Sequence, residues 1–307
     1  MLAIRGRLPA DLARRLSTRN LSITIKDLEE LSKDAGNFKL FTINAGTAKA
    51  RAIQEPKPKL QILHRRVHNL LSRVSVPEYL HSAVAGKSYL SNAAKHSADV
   101  PVIKIDVKKF FASVPHAAIL KFFELGMKCR RDVARILADL LTFDSHLPTG
   151  SSASPIIAYY AFKPMFDEIE ALAKSLSLEM TCYVDDMALS GPAASKTVLH
   201  NVRKIIAKFG LKSHKAHAFA ASAPKVITGV CITSDGNKVP NKLHLKIRKG
   251  FEAIAEATSS EAKQKASLPL IGRLEAAGQI DPLFKARAAT LRATLRAERP
   301  VASVKQK

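Results

Sequence analysis

Acidic residues and cysteines are scarce in this sequence, and long apolar runs are missing. Only 26 Asp+Glu stand against 49 Lys+Arg in 307 residues, a formal net charge of +23. An excess of that size creates a positive field that draws in polyanions. Nucleic acid is the partner it favours, ahead of membrane phosphates and of a merely solvated surface in which acids balance bases. The three cysteines, Cys129, Cys182 and Cys231, are far apart and form no CxxC pair. That argues against a disulfide framework and a cysteine zinc site, and fits a reducing compartment. No apolar stretch is long enough to span a bilayer. The opening MLAIRGRLPADLARRLSTRN carries arginines without the continuous apolar core of a secretory signal, and reads as an amphipathic helix. A cytoplasmic protein without a membrane partner is expected.

A hydrophobic fraction of 47% is that of a globular chain, and the length suggests about two domains. Leu2, Leu8, Leu12, Leu16, Ile25, Leu28 and Leu31 recur at helical spacing, so residues 1–35 are expected to be helical. FKLFTIN and KARAIQ flank Ala45-Gly46-Thr47 as a hairpin over residues 38–54, and helical spacing returns over 60–74. VPVIKIDV (100–107) reads as a strand, 116–142 as helical, and 154–175 as one helix with Pro155 in its first turn. MTCYVDDMAL (180–189) reads as strand, acidic turn, strand. A helix over 195–209 closes at Gly210, KVITGVCI (225–232) reads as a strand, and the rest as helix interrupted by Ser-Leu-Pro and Gly-Gln-Ile-Asp-Pro. The pattern is that of an α+β core with helical appendages.

Two acidic positions carry the chemistry. Asp106 ends an apolar strand, and Asp185-Asp186 sits in a tight connection between two others. Adjacent carboxylates flanked by β-formers repel one another unless cations or solvent offset the repulsion. They read either as solvated turn aspartates or as carboxylates on adjacent strands converging on two Mg²⁺ ions. Such ions, about 4 Å apart, activate an attacking hydroxyl and stabilise a leaving pyrophosphate.

IKIDVKKFFASVP, LPTGSSASP (147–155) and CYVDDMALSG, in that order and spacing, resemble the three catalytic blocks of retron-type bacterial reverse transcriptases. Arg51-Ala-Ile53 with Pro56 and Leu60 resembles the upstream fingers block. Asn92-Ala93-Ala94-Lys95-His96 matches the NAxxH signature, and Ile227-Thr228-Gly229 resembles the VTG signature. The resemblance covers about residues 38–250 and implies a right-hand polymerase: 1–100 N-terminal helices and fingers, 101–238 palm with fingers helices at about 115–146, and 239–307 a helical thumb. It implies RNA-directed DNA synthesis from dNTPs with two Mg²⁺ ions, Mn²⁺ being a substitute. The template is then a cognate non-coding RNA, copied into RNA-linked single-stranded DNA, beside an effector protein in defence against phage.

By the same resemblance, Asp106, Asp185 and Asp186 are the metal-binding carboxylates, and Tyr183 opens their box. Phe111 stacks under the sugar and excludes a ribose 2′-hydroxyl; Arg51 clamps the triphosphate. Thr149 and Gly150 sit at the nucleotide, with Thr149 standing where the family carries Gln. Lys49 is the nearby substitute for the lysines usual at the fingers turn. Lys215, rather than His217, is favoured as the proton donor to pyrophosphate, and a metal pair of His214 and His217 is disfavoured for lack of partner ligands. Asn92, His96, Thr228 and Gly229 take structural or RNA-facing roles. Lys246, Arg248 and Lys249 lead a basic C-terminal series that suits a duplex backbone. Competing readings are another bacterial reverse transcriptase lineage, the intron-encoded type being disfavoured because the chain ends soon after the thumb, or an RNA-binding scaffold with a decayed site.

Overall fold

The computed structural model describes residues 24–47 and 50–297. Lys49 and most of the expected N-terminal helix lie outside the described residues. In chain order the elements are α1 (Ile25–Lys33), β1 (Phe38–Ile43), β2 (Arg51–Pro56), α2 (Pro58–Leu71), α3 (Tyr89–Ala93), β3 (Val102–Val107), α4 (His116–Lys121), α5 (Arg131–Leu141), α6 (Ser154–Ala161), α7 (Lys163–Ser175), β4 (Glu179–Tyr183), β5 (Asp186–Ser190), α8 (Lys196–Lys208), β6 (Ser213–Phe219), β7 (Lys225–Ile227), β8 (Val230–Thr233), β9 (Gly236–Lys238), α9 (Asn241–Ala255), α10 (Ser260–Gly278) and α11 (Pro282–Ala297). The described residues form two compact units, one of 24–88 (without 48–49) and 101–218, the other of 89–100 and 219–297. Among the described residues, no helix is long and apolar enough to cross a membrane.

The first unit is built on a sheet of order β4-β5-β3-β6, with β3 and β4 both antiparallel to β5. Period-two alternation sets its faces. Ile103, Ile105 and Val107 are fully buried, whereas Lys104 and Asp106 between them are only half-buried. The buried face joins Met187 and Leu189 of β5 and Phe166, Ile169, Val202 and Ile206 of α7 and α8 in one apolar core. The hairpin β1–β2 is paired from Phe38↔Pro56 to Ile43↔Arg51. The second unit packs α9, α10 and α11 around Ile247, Leu270, Leu274 and Phe284, next to the small sheet β7-β8-β9. A Cβ on Gly278 would lie 2.8 Å from the Lys285 nitrogen, so this residue lets α10 and α11 approach closely.

Several expected elements differ. The helix over 154–175 is two helices parted at Phe162, because Pro164 lacks an N–H and sits in the first turn of the second. The stretch 116–142 is broken by a π-turn at Phe122–Gly126 and a left-handed Lys128 (φ 57°). The strand over 225–232 is a hairpin: Thr228 (φ 45°) and Gly229 (φ 89°) are its two turn residues, both left-handed as a type I′ turn demands. Ser267-Leu268-Pro269 does not interrupt the last region, since Pro269 lies inside α10, held by the burial of Leu270 and Leu274. Strands β6 and β9 were not expected.

Lys225 is fully buried, and its Nζ donates to the carbonyls of Ala98 (2.7 Å) and Val100 (2.8 Å). It thereby ties residues 89–100 to the hairpin β7–β8. Lys225→Met removes both bonds, leaving the Ala98 carbonyl only the Ser222 N–H at 2.8 Å, and is expected to lower unfolding free energy by about 1–3 kcal/mol in urea titration of the full chain. Unchanged stability would contradict the tie.

Candidate active site

The backbone brings the three aspartates together. Asp106 and Asp186 are direct Cα partners across β3 and β5, and the Val107 N–H donates to the Asp185 carbonyl at 3.0 Å. Tyr183 pairs with Asp186 across β4 and β5, leaving Val184-Asp185 as a two-residue turn. Val184 is left-handed (φ 61°), a strained state for a β-branched residue, and its N–H donates to Ser82 Oγ at 2.9 Å.

Cations meet the carboxylates. Lys104 Nζ lies 2.9 Å from Asp186 Oδ2, and Lys215 Nζ donates to Asp106 Oδ2 at 3.1 Å. His214 Nδ1 stands 3.3 Å from Asp106 Oδ1 without making a hydrogen bond. The Oδ1 atoms of Asp106 and Asp186 are buried and have no hydrogen-bond partner. Burial, followed by repulsion from Asp106, pushes the Asp185 carboxyl up to about 7. Burial also raises Asp186, with the nearby Lys104 opposing it. Among the described residues, no three His, Cys, Asp or Glu side chains stand as a ready-made metal-binding group. The donor set nevertheless fits a hard divalent cation: carboxylate oxygens only, two of them buried and unpartnered, in a cluster whose own repulsion a cation would relieve.

The loop 147–153 runs beside β2. The Gly150 N–H donates to the Gln54 carbonyl (3.0 Å), and the Thr149 N–H and hydroxyl reach Gln54 Oε1 at 3.1 and 2.9 Å. On the loop's next residue, Ser151 Oγ lies 2.6 Å from Nδ1 of the buried His64. Arg51, at the start of β2, is exposed. Phe111 is half-buried, with its ring stacked on Phe110 at 6.3 Å.

In the second unit, Asn92 and His96 are buried. Asn92 Nδ2 lies 3.5 Å from Thr228 Oγ1, which in turn donates to the Tyr89 carbonyl at 2.8 Å. The two side chains are thus turned inward, and Asn92 supports the Thr228-Gly229 turn from beneath. Lys246, Arg248 and Lys249 are exposed on α9, where Arg248 pairs with Glu252 at 3.1 Å. Arg248, alone of the three, lines a cleft of about 650 Å³ together with His244, Phe251, Phe284 and Arg287, whose guanidinium stands 5.0 Å over Phe251 and 5.7 Å over Phe284.

Sequence reasoning missed Lys104, Gln54, His64 and the aromatic lining of that cleft. Lys104 carried a signal, lying two residues before Asp106 in a strand and so on the same face. Gln54 and His64 carried none, because their partners are 95 and 87 residues away.

Burial holds the folded His64 down at about 4, against 6.5 for a free imidazole. As pH falls below 6.5 the unfolded chain takes up a proton that the folded chain refuses, so this contribution to stability is full above 6.5 and is lost towards pH 4. Between pH 7.5 and 5, urea midpoints of the wild type are expected to fall more than those of His64→Phe. The extra slope is at most about 1.4 kcal/mol per pH unit. Equal slopes would contradict a neutral buried imidazole.

A reverse transcriptase (RNA-dependent DNA polymerase) family model matches residues 37–228. The chain is 30% identical over 173 residues to the retron Se72 reverse transcriptase of Salmonella heidelberg, covering 55% of this chain and 46% of that one. It is 24% identical over 231 residues to the retron Ec86 reverse transcriptase of Escherichia coli, covering 73% and 72%. It spans about half the length of several retron relatives that it matches. Among solved structures, a foamy viral protease-reverse transcriptase in complex with double-stranded DNA aligns with a TM-score of 0.49 and 16% identity, over 86% of this chain and 40% of that one. The α+β architecture is of the right-hand polymerase class, and the chain belongs to the reverse transcriptase (RNA-dependent DNA polymerase) family, with similarity to its retron members.

Proposed function

We propose that this chain is an RNA-directed DNA polymerase of retron type, copying a cognate structured non-coding RNA into RNA-linked single-stranded DNA. The observation that carries the reading is the direct pairing of Asp106 with Asp186 beside the Asp185 turn, which gathers three carboxylates at one end of the sheet. In this reading Asp106, Asp185 and Asp186 hold two Mg²⁺ ions, Mn²⁺ substituting. When bound, such ions supply activation of the primer hydroxyl and stabilisation of the pyrophosphate.

The chain's own residues do the rest, which is mostly positioning and charge neutralisation. Lys104 and Lys215 offset the repulsion among the carboxylates, and Lys215, in reach of Asp106, is the proton donor to pyrophosphate. Arg51 and Lys49 bind the triphosphate, a guanidinium doing so in bidentate fashion. Thr149 and Gly150 present their loop to the incoming nucleotide. Tyr183 fixes the strand that leads into the acidic turn, and Phe111 excludes a ribose 2′-hydroxyl.

The fingers, palm and thumb are assigned to 1–100, 101–238 (with fingers helices at about 115–146) and 239–307. The compact unit that contains the thumb also includes 89–100 and 219–238. Lys246, Arg248 and Lys249 bind RNA phosphates, and the Phe251, Phe284 and Arg287 cleft offers stacking surfaces beside them. Thr228 and Gly229 present a turn to nucleic acid, while Asn92 and His96 act from below it. An effector partner and a place in defence against phage rest on the retron resemblance.

Purified full chain with template–primer, dNTPs and Mg²⁺ is expected to extend DNA, and Asp185→Asn, folded normally by circular dichroism, to lose extension. Equal activity in the two would remove the carboxylate assignment. Phe111→Ala is expected to raise rNTP over dNTP incorporation by about tenfold or more, read by single-nucleotide extension. An unchanged ratio would remove the steric gate.

A further inference from the structure

His64 is fully buried on α2, and both of its ring nitrogens are engaged. Nε2 lies 2.8 Å from the Leu140 carbonyl at the end of α5, and Nδ1 lies 2.6 Å from Ser151 Oγ. A carbonyl can only accept, so Nε2 carries the proton and Nδ1 is left as an acceptor. The Ser151 hydroxyl therefore donates to Nδ1, and its oxygen in turn accepts from the Ala153 N–H at 3.0 Å. The chain of bonds runs in one direction from Ala153 to Ser151 to His64 to Leu140, with no alternative proton arrangement. Burial keeps the imidazole neutral, which preserves that order.

The far side of the same loop is fixed by β2. Gly150 donates to the Gln54 carbonyl, and a Cβ on Gly150 would lie 2.8 Å from both that oxygen and Glu55 Cα. Ser154 Oγ donates to the Pro148 carbonyl at 2.7 Å and closes the loop on itself. Residues 149–151 are thus pinned between a strand backbone on one side and an imidazole on the other. A buried polar pair adds little net stability over an apolar pair of equal shape. What this pair adds is direction: one hydroxyl rotamer and one backbone path.

We propose that His64 is a positioning residue of the nucleotide site, which fixes the Ser151 hydroxyl and through it the Thr149-Gly150 backbone that receives the incoming dNTP. The inference rests on the reading that this backbone contacts the nucleotide.

The test is steady-state incorporation by the full chain at saturating template–primer, with KM and kcat for dNTP read separately. His64→Phe and Ser151→Ala are each expected to raise KM about fivefold with kcat within about twofold. The double variant is expected to rise about fivefold as well, since both changes break one link. His64→Gln, which keeps a donor and an acceptor, is expected to recover part of the loss. In ¹⁵N spectra of histidine-labelled protein, one imidazole is expected as the neutral Nε2–H form, with its Nδ1 resonance moved by Ser151→Ala.

A purely structural role would lower the melting temperature and leave KM of the folded fraction unchanged, and that result would overturn the proposal. Multiplying effects in the double variant would also overturn it. If His64→Phe does not fold, Ser151→Ala, which removes a single oxygen, decides on the same KM criterion. Gly150→Ala separates the two levels. If it raises KM while His64→Phe and Ser151→Ala do not, the positioning role alone fails; if none of the three moves KM, the nucleotide reading of the loop fails with it.

Discussion

Repulsion among three carboxylates governs the centre of this molecule. Asp106, Asp185 and Asp186 are brought together by strand register, not by mutual attraction, and burial makes the charges of Asp185 and Asp186 more costly still. The apolar face of β3 and β5 holds the strands in place, and Lys104 and Lys215 supply nearby positive charge. A slip of one residue along β3 would turn Asp106 into the core and Ile105 out of it, so the same hydrophobic alternation that makes the fold also sets the site.

Around that centre, precision comes from buried polar links. Val184 keeps an unfavourable left-handed backbone because Ser82 meets its N–H. Thr228 does likewise with Asn92 and the Tyr89 carbonyl around its side chain. The loop 149–151 is held by Gln54 and His64. Each of these is a short-range device that orients backbone next to residues assigned to nucleotide or nucleic acid, and each joins segments distant in sequence.

That distance explains what was legible in the sequence. The aspartates, the Phe111 block and the YVDD turn could be read because each is a local motif, and the strand at 102–107 because its alternation is local too. Lys104 was readable by the same period. His64, Gln54 and Lys225 were not, since a histidine, a glutamine or a lysine in an amphipathic segment gives no sign of a partner almost a hundred residues or more away. Local signals also misled. Pro269 reads as a breaker but sits inside a helix whose packing outweighs the cost, and Thr228, a β-former, occupies a turn position that its neighbours enforce. The strand β6 was missed because SHKAHAF shows little apolar alternation, its neighbour β3 supplying the pairing instead.

The most direct measurement is anomalous scattering from crystals of the full chain grown with Mn²⁺, a dNTP and a template–primer. Metal peaks within coordination distance of oxygens from Asp106 and from the Asp185-Asp186 turn are the result expected. Well-ordered nucleotide with metal bound elsewhere, and with Asp106 and Asp186 still paired only to Lys215 and Lys104, would contradict it.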